Sequence, residues 1–290
     1  MRRWLTILSV LALALPAAAL GASPIKLVAA ENFYGGIARQ IGGDQVEVAS
    51  ILNNPDQDPH LFETSATVVR QIADAQIAIL NGADYDPWMS KLLAAAPRPS
   101  RAVINVAELT GKKPGDNPHL WYDPATMPKA AQAIADALAK ADPAHAADYA
   151  ARLKTTLAAL AQVQERVAKL RAKWAGTPVT ATEPVFGLMA DAVGLRMRNQ
   201  SFQMAMMNDT EPSAKDVAAF EDDLRHRRVK AMLYNKQVSS KTTQRLIDIA
   251  RKAKVPVVAV TETQPGDIAF HDWMLGELDA LDKALSGPNS

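Results

Sequence analysis

The sequence predicts an α/β fold of two lobes, each a parallel sheet flanked by helices, joined by one long rigid helix. Three observations predict it. Short apolar segments alternate with segments of helical periodicity in both halves, the pattern of parallel strands under covering helices. The halves also echo each other: Glu31, Tyr34, Gly35, Ala38 and Gly42 recur 152 residues later as Glu183, Phe186, Gly187, Ala190 and Gly194. Glu63-Thr64-Ser65-Ala66 returns as Glu211-Pro212-Ser213-Ala214 at an offset of 148, and 75–81 returns as 229–235 at 154. One such match is cheap, but three in the same order indicate two lobes of similar build. Between the halves, 143–174 holds no Gly and carries Leu153, Leu157, Leu160, Val163, Val167 and Leu170 at spacings of three and four. That is a continuous apolar stripe on one helical face.

Taken in order, residues 1–22 read as a leader. Met1-Arg2-Arg3 is basic, the apolar run from Trp4 to Pro16 is 13 residues long, and small residues follow from Ala17 to Ala22. The run is too short to span a bilayer and fits a cleaved secretory signal peptide. The expectation is a periplasmic protein processed between Ala19 and Ser23; the alternative is a retained anchor. The first lobe, 23–142, has strands expected at 25–30, 46–52, 77–80 and 102–106, with helical periodicity at Val68, Ile72 and Ala73. The linking helix, 143–175, opens at Pro143 and is ended by Gly176 and Pro178. It would span roughly 45 Å at 1.5 Å per residue. A coiled-coil dimer seam would need sustained charge at flanking positions, which is missing, so a strut in a monomer is the better reading. The second lobe, 176–290, has strands expected at 178–182, 231–234 and 255–260, and Ser213 with Asp216 forms a capping-box pattern.

Composition excludes several classes. Taking Arg2 and Arg3 from the 32 basic residues leaves 30 against 31 acidic ones, no basis for nucleic-acid binding. Cysteine is absent, so disulfides, thiolate metal sites, Cys nucleophiles and an N-terminal lipidated Cys are excluded. The phosphate-binding glycine loops and the His-Glu-x-x-His zinc motif are missing as well.

The chemistry gathers at two Pro-His pairs. Only five histidines occur, and His60 and His119 both follow proline, 59 residues apart. Proline fixes its own φ and restrains the residue before it, so each imidazole is carried by a stiff loop. Imidazole is the commonest metal ligand. His60 follows the second expected strand and His119 the fourth; Glu183 and Glu262 directly follow strands of the second half. Ligands collect at the carboxyl ends of parallel strands, so the four could converge between the lobes as a site for Mn²⁺, Zn²⁺ or Fe²⁺. Glu183 could instead cap a helix, and Asp267 competes with Glu262. Glu31, the counterpart of Glu183, is expected to face the crevice as an outer-shell group. His145, His226 and His271 fall on helical or charged stretches and read as solvated. Met204, Met206 and Met207 could hold Cu(I), though a flexible hydrophobic loop is the preferred reading.

At these residues the chain resembles the metal-binding solute-binding proteins of zinc/manganese ABC importers, the cluster A-I substrate-binding proteins. The resemblance covers essentially the whole mature chain. It rests on Asp58-Pro59-His60, on Asn117-Pro118-His119 with Trp121 and Asp123-Pro124, on Glu211-Pro212-Ser213 and on the linking helix. It implies a non-enzymatic periplasmic carrier with one divalent ion, Zn²⁺ or Mn²⁺, held as cargo in the interlobe cleft. It also implies delivery to a membrane permease driven by a cytoplasmic ATPase. By position it makes His60 and His119 the first two metal ligands and Glu183 the third, where zinc-type members usually carry His and manganese-type members Glu. The fourth ligand of the family, an Asp, has no clean counterpart, and Thr261-Glu262-Thr263-Gln264 aligns only with a one-residue gap. The His- and acid-rich loop of many zinc members is missing. Two alternatives stand beside this reading: a secreted metal-dependent hydrolase, which needs an open coordination position and a nearby base, and a metal-binding adhesin of the same fold.

Overall fold

The structure is a computed structural model that describes residues 23–56, 59–266 and 268–287, with the backbone alone at His60. The first half begins with β1 (Ile25–Glu31), α1 (Asn32–Gly42), β2 (Val46–Leu52) and α2 (Ala66–Asp74). It continues through β3 (Ile77–Leu80), α3 (Pro87–Ala95), β4 (Ala102–Asn105), α4 (Val106–Thr110) and α5 (Thr126–Ala141). All pairings are parallel in the order β2-β1-β3-β4. Leu27, Val28, Ala29 and Ala30 are all buried, because β1 is central and covered on both faces, where strands read as unbroken apolar runs. α1 lies close on β2: a Cβ on Gly35 would stand 2.1 Å from Ser50 Oγ, so only glycine permits that approach.

The second half repeats the plan. It runs β5 (Pro178–Ala181), α7 (Gly187–Val193), β6 (Arg196–Arg198), α8 (Gln200–Met207), α9 (Ala214–Arg225), β7 (Met232–Asn235), α10 (Lys241–Lys252), β8 (Val257–Val260) and α11 (Phe270–Ser286), after α6 (Ala146–Trp174) has crossed between the halves. Its sheet is parallel in the order β6-β5-β7-β8, the order of the first sheet with each strand replaced by its counterpart in chain order. Ser213 caps α9, its Oγ accepting from Asp216 N–H at 3.1 Å. The methionine stretch corrects the expectation of a loop: Met204, Met206 and Met207 lie in α8. Gln200–Met207 has neither Gly nor Pro, and buried Phe202 packs on Phe220 at 4.9 Å between ring centroids, so helix propensity and one buried anchor decide.

Helix α6 has 29 residues and follows a single 3-10 turn, Pro143–His145. Leu153, Leu160, Val163, Val167 and Leu170 are buried on its inner face, joined by Tyr149 and Thr156. It packs on α1 and α5 of the first half and on α7 and α11 of the second. Its far end is pinned to α11, with Arg166 bonded to Asp279 (2.8 Å) and Asp282 (3.0 Å), and Lys173 and Trp174 Nε1 both on Asp282. Burial would raise the Asp282 carboxyl, but the bonds from Lys173, Trp174 and Arg166 outweigh it and hold it at about 2.

One apolar cluster runs through both halves. Its middle is aromatic: Phe33 of α1 meets Trp121 (4.7 Å) and Trp273 of α11 (6.1 Å), and Tyr122 meets Phe186 (5.3 Å) and Trp273 (5.9 Å). Burying side chains of this size contributes about 2–3 kcal/mol each, and well-placed ring pairs about 1 kcal/mol more. The lobes are therefore joined along one continuous apolar seam. Among the described residues no helix is long and apolar enough to cross a membrane.

Candidate metal centre

In both sheets the chain reverses direction between the two inner strands, and ligands of open parallel sheets bind at the carboxyl ends beside that reversal. At that place the first sheet offers Glu31, which ends β1, and Asn81, which follows β3; the second offers Glu183, beyond β5, and Asn235, which ends β7. The two carboxyl edges face each other, and Glu262, beyond β8, and His119, in the loop after α4, complete the crevice.

His119 is 1% exposed. Its Nδ1 lies 2.8 Å from Asn117 Oδ1, which also accepts the His119 backbone N–H at 3.1 Å. Asn117 cannot turn over, because its Nδ2 donates to the Pro184 carbonyl at 2.8 Å. The proton therefore sits on Nδ1 and the lone pair on Nε2, the arrangement of an imidazole oriented for a metal by its outer partner. Nε2 is buried without a hydrogen-bond partner, and the nearest carboxylate oxygen, Glu262 Oε2, stands 3.5 Å away. Tyr85 and Trp121 pack edge-on against the ring at 5.9 and 5.4 Å. The loop itself is fastened from below: Asn81 Nδ2 donates to the Pro118 carbonyl at 2.8 Å, and Tyr34 donates to Asn81 Oδ1 at 2.8 Å.

Asn235 brings the two second-half carboxylates together. Its Nδ2 donates one hydrogen to Glu183 Oε2 (2.7 Å) and the other to Glu262 Oε1 (2.6 Å). Glu183 makes no capping bond to the turn it precedes, so it serves the crevice rather than a helix end. Tyr85, from the first half, donates to Glu262 Oε2 at 2.9 Å. Gln237 Oε1 accepts the backbone N–H of Glu262 (2.5 Å) and Thr263 (3.1 Å), fixing the turn. Burial pushes the Tyr85 hydroxyl well up, with the Glu262 and Glu31 carboxylates adding to it, so Tyr85 stays a donor.

Glu31 is 1% exposed, and its carboxyl lies against that of Asp86. Burial pushes its pKa well up, and the neighbouring Asp86 carboxylate, which accepts from the Asn81 and Gly82 amides, pushes it further. Glu31 thus faces inward, coupled electrostatically to Tyr34 and Tyr85.

The structure brings together His119, Glu183 and Glu262, with Glu31 alongside. The His60 imidazole and Asp267 lie outside the described residues; the His60 backbone occupies the 3-10 turn Pro59–Leu61. A cavity of about 520 Å³, lined by Leu52, Pro59, Phe62 and Thr263 among others, opens between that turn and the Glu262 turn. Among the described residues no three His, Asp or Glu side chains already stand at mutual coordinating positions; the Asn235 amide occupies the space between the two glutamates. His145, His226 and His271 are spent on neighbouring carboxylates Asp142, Asp222 and Asp272. Sequence reasoning missed Asn235 and Tyr85. For Asn235 a signal existed, since the third echo aligns it with Asn81; for Tyr85 none did.

Fold and crevice define a two-lobed protein, its halves joined by one long packed helix, with a small polar centre at the lobe junction. The profile of the family described as zinc-uptake complex component A, periplasmic, matches residues 27–284. The chain belongs to that family of metal-importer solute-binding proteins; it is not an enzyme, and the hydrolase alternative is set aside. A manganese ABC transporter substrate-binding lipoprotein of Streptococcus mitis is 22% identical, over 90% of this chain and 89% of its own. The periplasmic zinc-binding protein TroA of Treponema pallidum superposes with a TM-score of 0.76 at 18% identity, covering 91% of this chain and 99% of its own. A mutant of the laminin-binding adhesin of Streptococcus agalactiae gives 0.73 at 20% identity, covering 90% and 99%. At these identities the structural likenesses establish the fold.

Proposed function

We propose that this protein captures one divalent transition-metal ion, Zn²⁺ or Mn²⁺, as cargo in the interlobe crevice, with His60, His119, Glu183 and Glu262 as its ligands and Asp267 or Glu31 as the reserve carboxylates. One observation carries the reading: the buried His119 Nε2, its tautomer set by Asn117, has no hydrogen-bond partner and looks toward Glu262 Oε2 at 3.5 Å. Buried carboxylates persist where they are paired or coordinate a cation, and an ion here would replace Asn235 as the group shared by Glu183 and Glu262. Two imidazoles with two carboxylates form a harder donor set than three imidazoles with one, which suits Mn²⁺, while intrinsic affinity still favours Zn²⁺. The named relatives, one of manganese and one of zinc, support both cargoes.

The same reading makes the chain an exported monomer that loses residues 1–22 and hands its ion to a permease coupled to a cytoplasmic ATPase. It divides into lobes 23–142 and 176–290 about the linking helix 143–175. The decisive experiment is Mn²⁺ and Zn²⁺ titration of the exported protein with elemental analysis. One ion per chain is expected, lost in His119→Ala and Glu183→Ala, and shifted toward Zn²⁺ in Glu183→His. Undiminished binding in His119→Ala sinks the assignment.

A further inference from the structure

Glu277, on α11, belongs to no motif and lies outside the ligand set. It is half-buried, and its carboxyl makes three contacts. Oε1 accepts from Trp273 Nε1 at 2.9 Å and from the Thr261 backbone N–H at 3.4 Å. Oε2 lies 2.7 Å from the Tyr122 hydroxyl oxygen, and that same oxygen lies 2.7 Å from the Thr261 carbonyl. Tyr122 is fully buried, and a phenol has a single hydrogen to donate. The Thr261 carbonyl can only accept, so that hydrogen must go to it; otherwise two oxygen lone pairs face each other at bonding distance. The remaining short contact then needs a hydrogen from Glu277.

We infer that Glu277 is a positioning residue for the Glu262 carboxylate: as a neutral acid it donates through Oε2 to Tyr122, which donates to the Thr261 carbonyl one residue before Glu262. Oε1, as the carbonyl oxygen of that acid, holds the amide of the same Thr261. Thr261, the residue before Glu262, is thus gripped at its carbonyl from the first lobe and at its N–H from α11, while Gln237 holds the next two amides. Burial agrees with this proton inventory, pushing the Glu277 carboxyl up to about 8. Titratable groups facing this network are Tyr122 and Glu262. The inference rests on Glu262 being a ligand.

Glutamine at 277 reproduces every bond, its amide NH₂ donating to Tyr122 and its oxygen accepting from Trp273 and Thr261. Leucine fills the space and makes none. Two readouts decide: the Mn²⁺ dissociation constant, and amide exchange of residues 261–264 in metal-free protein. Glu277→Gln is expected to stay within about threefold of wild type, whereas Glu277→Leu weakens Mn²⁺ about 10- to 100-fold, the usual loss for an outer partner of a ligand. Exchange at 261–264 should quicken in Glu277→Leu and not in Glu277→Gln. Tyr122→Phe, which cuts the relay and keeps the fold's apolar contacts, should follow Glu277→Leu and decides the matter if the leucine variant fails to fold. A folded Glu277→Leu with wild-type affinity and exchange overturns the inference, as does Glu277→Gln being as damaging as Glu277→Leu. Failure of the metal reading shows separately, as Glu262→Ala binding Mn²⁺ like wild type, while the exchange arm still reports whether Glu277 holds the turn.

Discussion

Asn117 places a proton without touching any ion. Its amide is locked by the Pro184 carbonyl of the other lobe, so the His119 tautomer depends on the lobes being joined. Glu277 gives the same scale a pH dependence. Its folded-state pKa is raised from an ordinary 4.5 to about 8 by burial, so its contribution to stability is complete below the ordinary carboxylate value and is lost as pH rises through about 8. One proton sets a slope of at most ~1.4 kcal/mol per pH unit, reduced by residual solvent contact. Metal-free protein should therefore melt at progressively lower temperature between about pH 4.5 and pH 8, the window set by that linkage, and Glu277→Gln should flatten the decline; an unchanged slope in that variant counts against the assignment. His119 and Glu183 were legible from sequence because proline context and strand ends mark them. Asn235 was marked only by its echo of Asn81; Tyr85 and Glu277 were not marked at all, because a phenol and a helix glutamate acquire their roles only from partners distant in the chain.

Elements with strong periodicity were equally legible. β2 and β3 fall on their expected limits, since each is a bounded apolar run. β6, Arg196–Arg198, was invisible: three residues with two arginines carry no strand pattern, and pairing with β5 alone makes it a strand. β8 begins at Val257, two residues late, because Val255 and Pro256 still belong to the approach from α10, although the Pro256 carbonyl already accepts from Met232. The α6 stripe was readable because burial on one face forces spacings of three and four. Leu160, 3% exposed in the middle of that face, tests its worth. Leu160→Ala should cost about 2–5 kcal/mol by denaturant unfolding and leave metal affinity within about twofold, since the site is held by loops rather than by the strut. A large affinity loss would mean that α6 also sets the crevice.

On the scale of the molecule, the repeat in sequence became two sheets of one strand order, which is why the fold class was readable throughout. The seam between them was not, because it is made of aromatic residues scattered over four elements. With Phe33, Trp121, Tyr122, Phe186 and Trp273 packed across it and α6 pinned at its end, the lobes share one core. Hinge closure needs a few residues free to change φ and ψ. Small-angle scattering of metal-free and metal-loaded protein should give superimposable curves, with exchange differences confined to the loops around His60 and Glu262. Compaction on adding metal would show that the seam opens.

The side-chain amide of Asn32 pairs with the backbone of Gln264, donating through Nδ2 to its carbonyl at 2.8 Å and accepting its N–H at Oδ1 at 3.1 Å, and so joins residues 232 positions apart. A chain that emerges amino-terminus first completes its first sheet at Asn105 long before residue 264 exists outside the channel. Closing so long a loop adds little entropy beyond a shorter one, growing only as about (3/2)RT ln n, but it fixes an order of events. His119 is available early, and Glu262, whose Oε2 stands 3.5 Å from its Nε2, arrives much later. With the proposed ligand set, a newly exported molecule is competent to hold an ion only once its beginning and its end have met.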